Sequence, residues 1–211
     1  MTENTVITQI GLGIGLFTLL GFTLDAVRDS TELALTDGLT GLANKSHLLA
    51  RLEFEVMRAQ RGGHRLSLMM LDVDHFKRFN DRFGHRTGDD VLKMIAARMR
   101  QIPGGRAFRY GGEEFAVVFT GRAALKAIDR METFRASLAR TPFVVRGVPR
   151  STKKARGRKT GGMASRQRVK ITVSVGVAVP GTGGRKAPEV LAAADKALYR
   201  AKKAGRNRVA A

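Results

Sequence analysis

Apolar residues are spaced along the chain in a way that predicts strands alternating with helices. A continuous apolar run at residues 66–72 has the length of a strand that is covered on both faces. Residues 91–99 carry apolar side chains three and four positions apart, as in a helix packed on one face. Two further runs, at residues 107–110 and 115–119, flank a glycine-containing turn and predict a β-hairpin.

The rest of the pattern completes an α/β fold. Asn44 is predicted to cap a helix that runs to about Arg61. The later elements, in order, are a helix at 122–139, strands at 143–146 and 169–179, and an amphipathic helix at 187–203 ended by Gly205. Strands that alternate with helices, with one hairpin, predict a mixed central sheet with surrounding helices, preceded by an N-terminal helix.

The N-terminal helix is predicted from residues 4–24, which carry no charge and are long enough to cross a bilayer. Gly11 and Gly15 form a small-xxx-small pair that lets two such helices pack closely. No basic region precedes the segment, which argues against a cleaved signal peptide. We expect a transmembrane helix and connector over residues 1–35, with the cationic remainder in the cytoplasm. The alternative is a buried helix in a soluble cytoplasmic protein.

Charge and composition narrow the classes of function. The absence of cysteine excludes disulfides, thiolate metal sites and a cysteine nucleophile. The formal net charge is +20, and ten of the positive charges lie between residues 146 and 170 without an acid among them. Self-repulsion predicts a mobile basic loop at about 147–168, either a solvated hairpin extension or a contact for anionic lipid. With only 6% aromatic residues, specific nucleic-acid binding is disfavoured.

Carboxylates gather at two places where the pattern does not explain them. Asp72 and Asp74 end the buried strand, where an unpaired charge is costly and a cation would compensate it. Glu113 and Glu114 follow two glycines in the hairpin turn. If the two acidic segments meet, their hard oxygen ligands suit Mg²⁺ or Mn²⁺, which would recruit substrate phosphates.

The hairpin sequence Gly111-Gly112-Glu113-Glu114-Phe115 resembles the signature of the GGDEF family of diguanylate cyclases, in its GGEEF form. The other matching segments follow in the family's order at residues 37–44, 72–85, 88–89, 172–177, 194–199 and 202–208. Each motif alone is weak, but the ordered set is specific. The resemblance implies that residues 36–211 form a cyclase domain with a palm-like sheet, similar to nucleotidyl cyclases and polymerases.

The resemblance also implies roles for individual residues. Asp72, the backbone carbonyl of Val73 and Glu113 correspond to the ligands of Mg²⁺ (or Mn²⁺). Glu113 also corresponds to the acceptor of the ribose 3′-hydroxyl proton, Glu114 to a second carboxylate, and Lys77 to the cation that offsets charge on the α-phosphate. The substrate-binding positions are Phe76, Asn80, His85, Asp89, Lys202 and Arg206, among which Asn80 and Asp89 would read the guanine edge.

The implied reaction condenses two GTP molecules into cyclic di-GMP and releases pyrophosphate, in bacterial second-messenger signalling. Each domain would hold one GTP, so catalysis needs a homodimer, which paired N-terminal helices would favour. Three alternatives are a catalytically inactive receptor for GTP or cyclic di-GMP, a cyclase for another nucleotide, and a basic nucleic-acid-binding protein.

Two departures from the family's pattern affect these expectations. Many members carry an R-x-x-D product site before the hairpin, but Ile102 and Gly105 stand at its two charged positions, so we expect no product inhibition there. Lys45 replaces an arginine that is common in the family.

Overall fold

The structure is a computed structural model that describes residues 35–62, 64–148, 165–179 and 186–211. The helices are α1 (Lys45–Gln60), α2 (Phe76–Phe83), α3 (His85–Met99), α4 (Ala127–Arg140) and α5 (Ala187–Lys203), with a 3₁₀ helix at Gly121–Lys126. The strands are β1 (Leu66–Val73), β2 (Gly105–Gly111), β3 (Glu114–Thr120), β4 (Phe143–Val148), β5 (Ser165–Val169), β6 (Val173–Ala178) and β7 (Val209–Ala210).

Five of the strands form one mixed sheet in the order β2-β3-β1-β6-β7. The central strand β1 is antiparallel to both β3 and β6, and β6 is parallel to β7. Strands β4 and β5 form a separate two-stranded antiparallel sheet. The predicted mixed α/β fold is therefore confirmed.

Strand β1 is buried along its whole length because helices cover both faces of the sheet. Met69 and Leu71 pack on the face covered by α2, α3 and α4. Leu68 and Met70 pack on the opposite face, which α1 and α5 cover. Alternate side chains of a strand point to opposite faces, so Asp72 belongs to the α1 and α5 face.

Most predicted elements are confirmed, including the Asn44 cap, whose Oδ1 accepts a hydrogen bond from the His47 N–H at 3.1 Å. The single strand predicted at 169–179 is wrong, because the chain changes sheets there: β5 pairs with β4 and β6 pairs with β1. The helix predicted at 122–139 starts with a 3₁₀ segment, and the helix placed around 91–99 already begins at His85.

Some predictions fall outside the described residues. These are the N-terminal helix and connector, apart from Leu35, and most of the basic loop, residues 149–164. The loop's flanks are paired as antiparallel strands β4 and β5. Within the described ranges, no helix combines the length and apolar character that a membrane span requires.

Candidate active site

Asp72 stands at the end of β1, where the chain leaves the sheet core. Its side chain is 8% exposed, and its Oδ2 lies 2.8 Å from Nζ of Lys202 on α5. Side chains alternate between the two faces of the sheet along β1, and Asp72 lies on the face that α5 covers. This shared face lets the two residues form an ion pair. A carboxylate from the strand and a cation from the helix therefore meet at one edge of the fold.

The β2–β3 hairpin brings the second pair of acids to the same place. Glu114 is the direct cross-strand partner of Asp72 in the antiparallel β1–β3 ladder. The Val73 N–H donates to the Glu113 carbonyl at 3.3 Å, which ties the hairpin turn to the end of β1. Gly112 has φ +48, in the left-handed region that glycine adopts without strain. The two acidic segments thus adjoin, which is the condition that the sequence analysis set for a shared metal site.

Arg109 fixes the hairpin turn from the other side. Its Nη2 donates to the Gly112 carbonyl at 2.8 Å, and its Nη1 donates to Asp37 Oδ1 at 2.9 Å. Asp37 also accepts from the Thr40 N–H and hydroxyl. The same segment docks on β2, since the Arg109 N–H donates to the Ala43 carbonyl at 2.8 Å. One guanidinium therefore links the segment before α1 to the acidic turn.

Electrostatics at the acidic site are unfavourable without an added cation. Burial raises the pKa of Asp72, an effect that the neighbouring Lys202 only partly offsets. Burial and then the Asp72 charge raise the pKa values of Glu113 and Glu114. A raised pKa means that the protein destabilises the ionised form of the carboxyl group. A bound cation would stabilise the ionised forms of these three acids.

The base-recognition residues of the prediction lie where α2 meets α3. The Oδ1 atom of Asn80 is buried, and among the described residues it has no hydrogen-bond partner. A Cβ at Gly88 would stand 1.9 Å from this atom, so only glycine allows α3 to pack against the amide. Asp89 follows Gly88 directly and is half-buried. The structure therefore brings Asn80 against the segment that carries Asp89.

The other predicted substrate residues differ in their surroundings. Phe76 is 6% exposed and its ring belongs to the core, but its backbone N–H lies in the first turn of α2, where helix geometry provides no intrahelical acceptor. Lys77 and His85 are exposed, and no hydrogen bond or ion pair joins either of them to the acidic residues within the described ranges. Arg206 is exposed too, and its charge, like that of Lys202, partly offsets the rise that burial causes in the pKa of Asp72.

This geometry can be compared with known proteins. The profile of the family described as "Diguanylate cyclase, GGDEF domain" matches residues 34–208. The chain belongs to the GGDEF diguanylate cyclase family. This GGDEF chain is 41% identical over 185 residues to diguanylate cyclase DgcP of Pseudomonas aeruginosa, covering 87% of the chain and 25% of that relative. It is 37% identical over 184 residues to the response regulator PleD of Caulobacter vibrioides, covering 85% and 36%.

Among solved structures, the coiled coil and GGDEF domain of DgcB from Caulobacter crescentus, in complex with c-di-GMP, matches with a TM-score of 0.75 and 34% identity. The match covers 98% of each chain. Against the curated relatives DgcP and PleD, this chain spans only a quarter to about a third of their length. The shared part is therefore the GGDEF domain.

GGDEF cyclases generally use a divalent metal, and the residues here suit one. Asp72 and Glu113 provide carboxylates of the kind that Mg²⁺ prefers. Their raised pKa values mark a place where added positive charge stabilises the ionised forms. Within the described ranges no three acidic or histidine side chains are arranged as a ready metal cluster. A metal there would need a backbone carbonyl, such as that of Val73, or substrate oxygens to complete its ligands.

Sequence reasoning missed several residues of this GGDEF site. Asp74, read as a candidate metal carboxylate, accepts hydrogen bonds from Thr172 Oγ1 at 2.8 Å and Ser174 Oγ at 2.7 Å. It is therefore already satisfied by protein donors. The Arg109–Asp37 bridge was also missed, because its partners are 72 residues apart and nothing local marks them. The Gly88 contact was missed because the helix was predicted to follow Gly88, whereas the observed helix begins at His85 and includes this glycine.

Proposed function

We propose that this protein is an active diguanylate cyclase that condenses two GTP molecules into cyclic di-GMP. The observation that carries the proposal is the meeting of Asp72, Glu113 and Glu114 at one end of the sheet beside Lys202, in a chain that belongs to the GGDEF family. Receptors that have lost catalysis need not keep these acids, whereas a cyclase requires them to hold the metal and accept the proton.

Each part of the site has a task in this reaction. Mg²⁺ or Mn²⁺ held by Asp72, the Val73 carbonyl and Glu113 would supply charge neutralisation at the phosphates. Glu113, with its raised pKa, suits the acceptor of the ribose 3′-hydroxyl proton, and Glu114 is a second carboxylate beside it. Lys77 at the start of α2 and the basic pair Lys202 and Arg206 would hold the triphosphate.

Base selection is assigned to the α2–α3 corner. Asn80 and Asp89 would bind the guanine edge, with His85 and the Phe76 backbone N–H close to the substrate. An Asp carboxylate accepts from guanine N1–H and N2–H, which adenine cannot offer. The unpartnered Oδ1 of Asn80 supports this assignment, because a buried acceptor without a partner is costly until a ligand donates to it.

The reaction needs two copies of the domain. One site holds one GTP, and the 3′-hydroxyl of each must reach the α-phosphate of the other, so a homodimer is required. Residues 4–24 would pair through Gly11 and Gly15, anchor the protein in the cytoplasmic membrane, and raise the effective concentration of the two domains. The basic loop 147–168 would add contact with anionic headgroups.

Product binding is expected to be weak on the face that carries residues 102–105. The Ile102 side chain is buried and Gly105 has no side chain, so neither charged position of the R-x-x-D motif offers a charge to a dinucleotide. Isothermal titration of the full chain with cyclic di-GMP should therefore give no binding in the low micromolar range. Tight binding that resists substitution of the active-site carboxylates would contradict this expectation.

The proposed function is tested by incubating the purified full chain, in detergent, with GTP and Mg²⁺ and separating the products by chromatography. The parent should form cyclic di-GMP and Glu113→Gln should form at least about a hundredfold less. Glu53→Gln, an exposed acid on α1, is the matched control and should equal the parent. GTP binding without product in the parent would favour the receptor alternative.

A further inference from the structure

The loop that follows α5 holds an unusual backbone. Arg206 and Asn207 are consecutive and both adopt left-handed conformations, with φ of 60 and 46. Non-glycine residues enter this region at an energetic cost, and asparagine tolerates it best. Such a conformation persists only where the surroundings determine it. The contacts of this loop therefore show what holds it.

The first contact comes from the end of β1. The Asn207 N–H donates to Asp74 Oδ2 at 3.1 Å. Asp74 is itself held by the Thr172 and Ser174 hydroxyls, and its N–H donates to the Thr172 carbonyl at 2.9 Å. Both carboxylate oxygens of Asp74 therefore accept hydrogen bonds, from Ser174 in β6, from Thr172 just before β6 and from Asn207 in the loop.

The second contact comes from α4, on the other side of the loop. Arg135 Nη1 donates to Asn207 Oδ1 at 2.8 Å. The guanidinium is oriented by Glu132, whose Oε2 accepts from Arg135 Nε at 2.9 Å. Asn207 is therefore fixed twice, through its backbone by Asp74 and through its side chain by Arg135.

The neighbour of Asn207 is the exposed cation Arg206. Its backbone is fixed as well, because the Arg206 N–H donates to the Ala201 carbonyl at 3.0 Å and its own carbonyl accepts from Arg208 Nε at 3.1 Å. In the described part of the chain no protein acceptor takes the Arg206 guanidinium. A rigid backbone with an uncommitted cation is suited to binding an anion from outside the protein.

We propose that Asp74, Asn207 and Arg135 are positioning residues that hold the Arg206 guanidinium for a substrate phosphate, and that Asp74 is not a metal ligand. The inference rests on the proposed function, because the phosphate is that of bound GTP. The network reaches from Arg135 on α4 to Arg206, and the phosphate contact therefore depends on the left-handed conformation of residues 206 and 207.

The test crosses loop variants with Arg206→Ala in the full chain. Asn207→Ala removes the acceptor for Arg135 and disfavours the left-handed backbone, and Asn207→Gly removes only the acceptor. In the parent background we expect KM for GTP to rise about tenfold in Asn207→Ala and by less in Asn207→Gly. In the Arg206→Ala background both should change KM by no more than about twofold. An equal rise in KM for GTP in the parent and Arg206→Ala backgrounds would overturn the proposal.

Asp74→Ala separates positioning from metal binding. Asp74→Ala should raise KM for GTP in the parent background but not in the Arg206→Ala background. It should leave the Mg²⁺ concentration for half-maximal rate unchanged, whereas Asp72→Asn should raise that concentration. A shift in Mg²⁺ dependence in Asp74→Ala as large as that of Asp72→Asn would mean that Asp74 is a metal ligand.

Hydrogen exchange tests the network without catalysis. The Asn207 amide should be protected in the parent and should exchange at least about tenfold faster in Asp74→Ala, since its acceptor is gone. If the parent makes no cyclic di-GMP, the proposed function fails while this exchange result still decides whether the network exists. Unprotected Asn207 in the parent would overturn it.

Discussion

Gly176 is the position where a single methyl group should disturb both the fold and the site. It lies in β6 beneath α5, and a Cβ there would stand 2.1 Å from the Leu198 backbone nitrogen and 2.2 Å from the Ala194 carbonyl oxygen. Ordinary van der Waals contact begins at 3.4 Å, so α5 would have to move by about 1.3 Å. Backbone atoms of a helix cannot turn aside as a side chain can.

The cost of Gly176→Ala follows from this overlap. Overpacking of a close-packed interface typically costs about 1–3 kcal/mol, which for a chain of this size lowers Tm by about 2–12 °C. Because α5 also carries Lys202, its displacement would lengthen the 2.8 Å contact with Asp72. We therefore expect a lower Tm in circular dichroism together with a higher KM for GTP.

Gly38→Ala is the matched control, because no atom lies within 4 Å of a Cβ there and its φ is ordinary. Its Tm should stay within about 2 °C of the parent, since substitutions that touch nothing have small effects. A Gly176→Ala variant with the parent's Tm and KM would refute the close approach of α5 to β6.

Three further predictions concern the site itself. Arg109→Lys replaces a guanidinium that bridges two segments with a single ammonium, so kcat should fall about tenfold to a hundredfold, whereas Arg106→Lys on the same strand should keep the parent's rate. Gly88→Ala should displace the Asn80 amide and raise KM for GTP about tenfold. The selectivity for GTP over ATP, measured by competition kinetics, should fall further the more the amide is displaced. Burial and the neighbouring charge raise the pKa of Glu113, so its ionisation costs stability as pH rises above the ordinary value of 4.5. Glu113→Gln should therefore raise the metal-free Tm at pH 8 and lose this advantage near pH 4; an equal difference at both pH values would contradict the assignment.

The spacing of apolar residues predicted those strands and helices whose own sequence has a clear apolar pattern. The unbroken apolar run of β1 requires cover on both faces, and the amphipathic spacing at residues 187–203 coincides with α5. Helix α2 was missed although Phe76, Phe79 and Phe83 stand three and four positions apart, a helical spacing that the polar residues between them conceal. The two-residue strand β7 offers no pattern at all.

The candidate site was predicted where its residues adjoin in sequence, and missed where they meet only in space. The resemblance identified Asp72 and the hairpin acids because they belong to contiguous motifs. Asp74 was read only as a carboxylate that a cation could compensate, because its protein partners, 98 to 133 residues away, could not be read from the sequence. Choosing among distant hydrogen-bond partners requires the packed structure, since every Asp, Thr and Asn offers the same groups to many neighbours.

The central claim is that the carboxylates at the end of β1 and in the hairpin form a metal-dependent GTP-condensing site. The most direct measurement is the initial rate of cyclic di-GMP formation by the full chain across a range of Mg²⁺ concentrations, for the parent and for Asp72→Asn. We predict a rate that rises to saturation with Mg²⁺ in the parent and a rate at least about a hundredfold lower in the variant. Product formation that needs no divalent cation, or that proceeds equally in Asp72→Asn, would contradict the account.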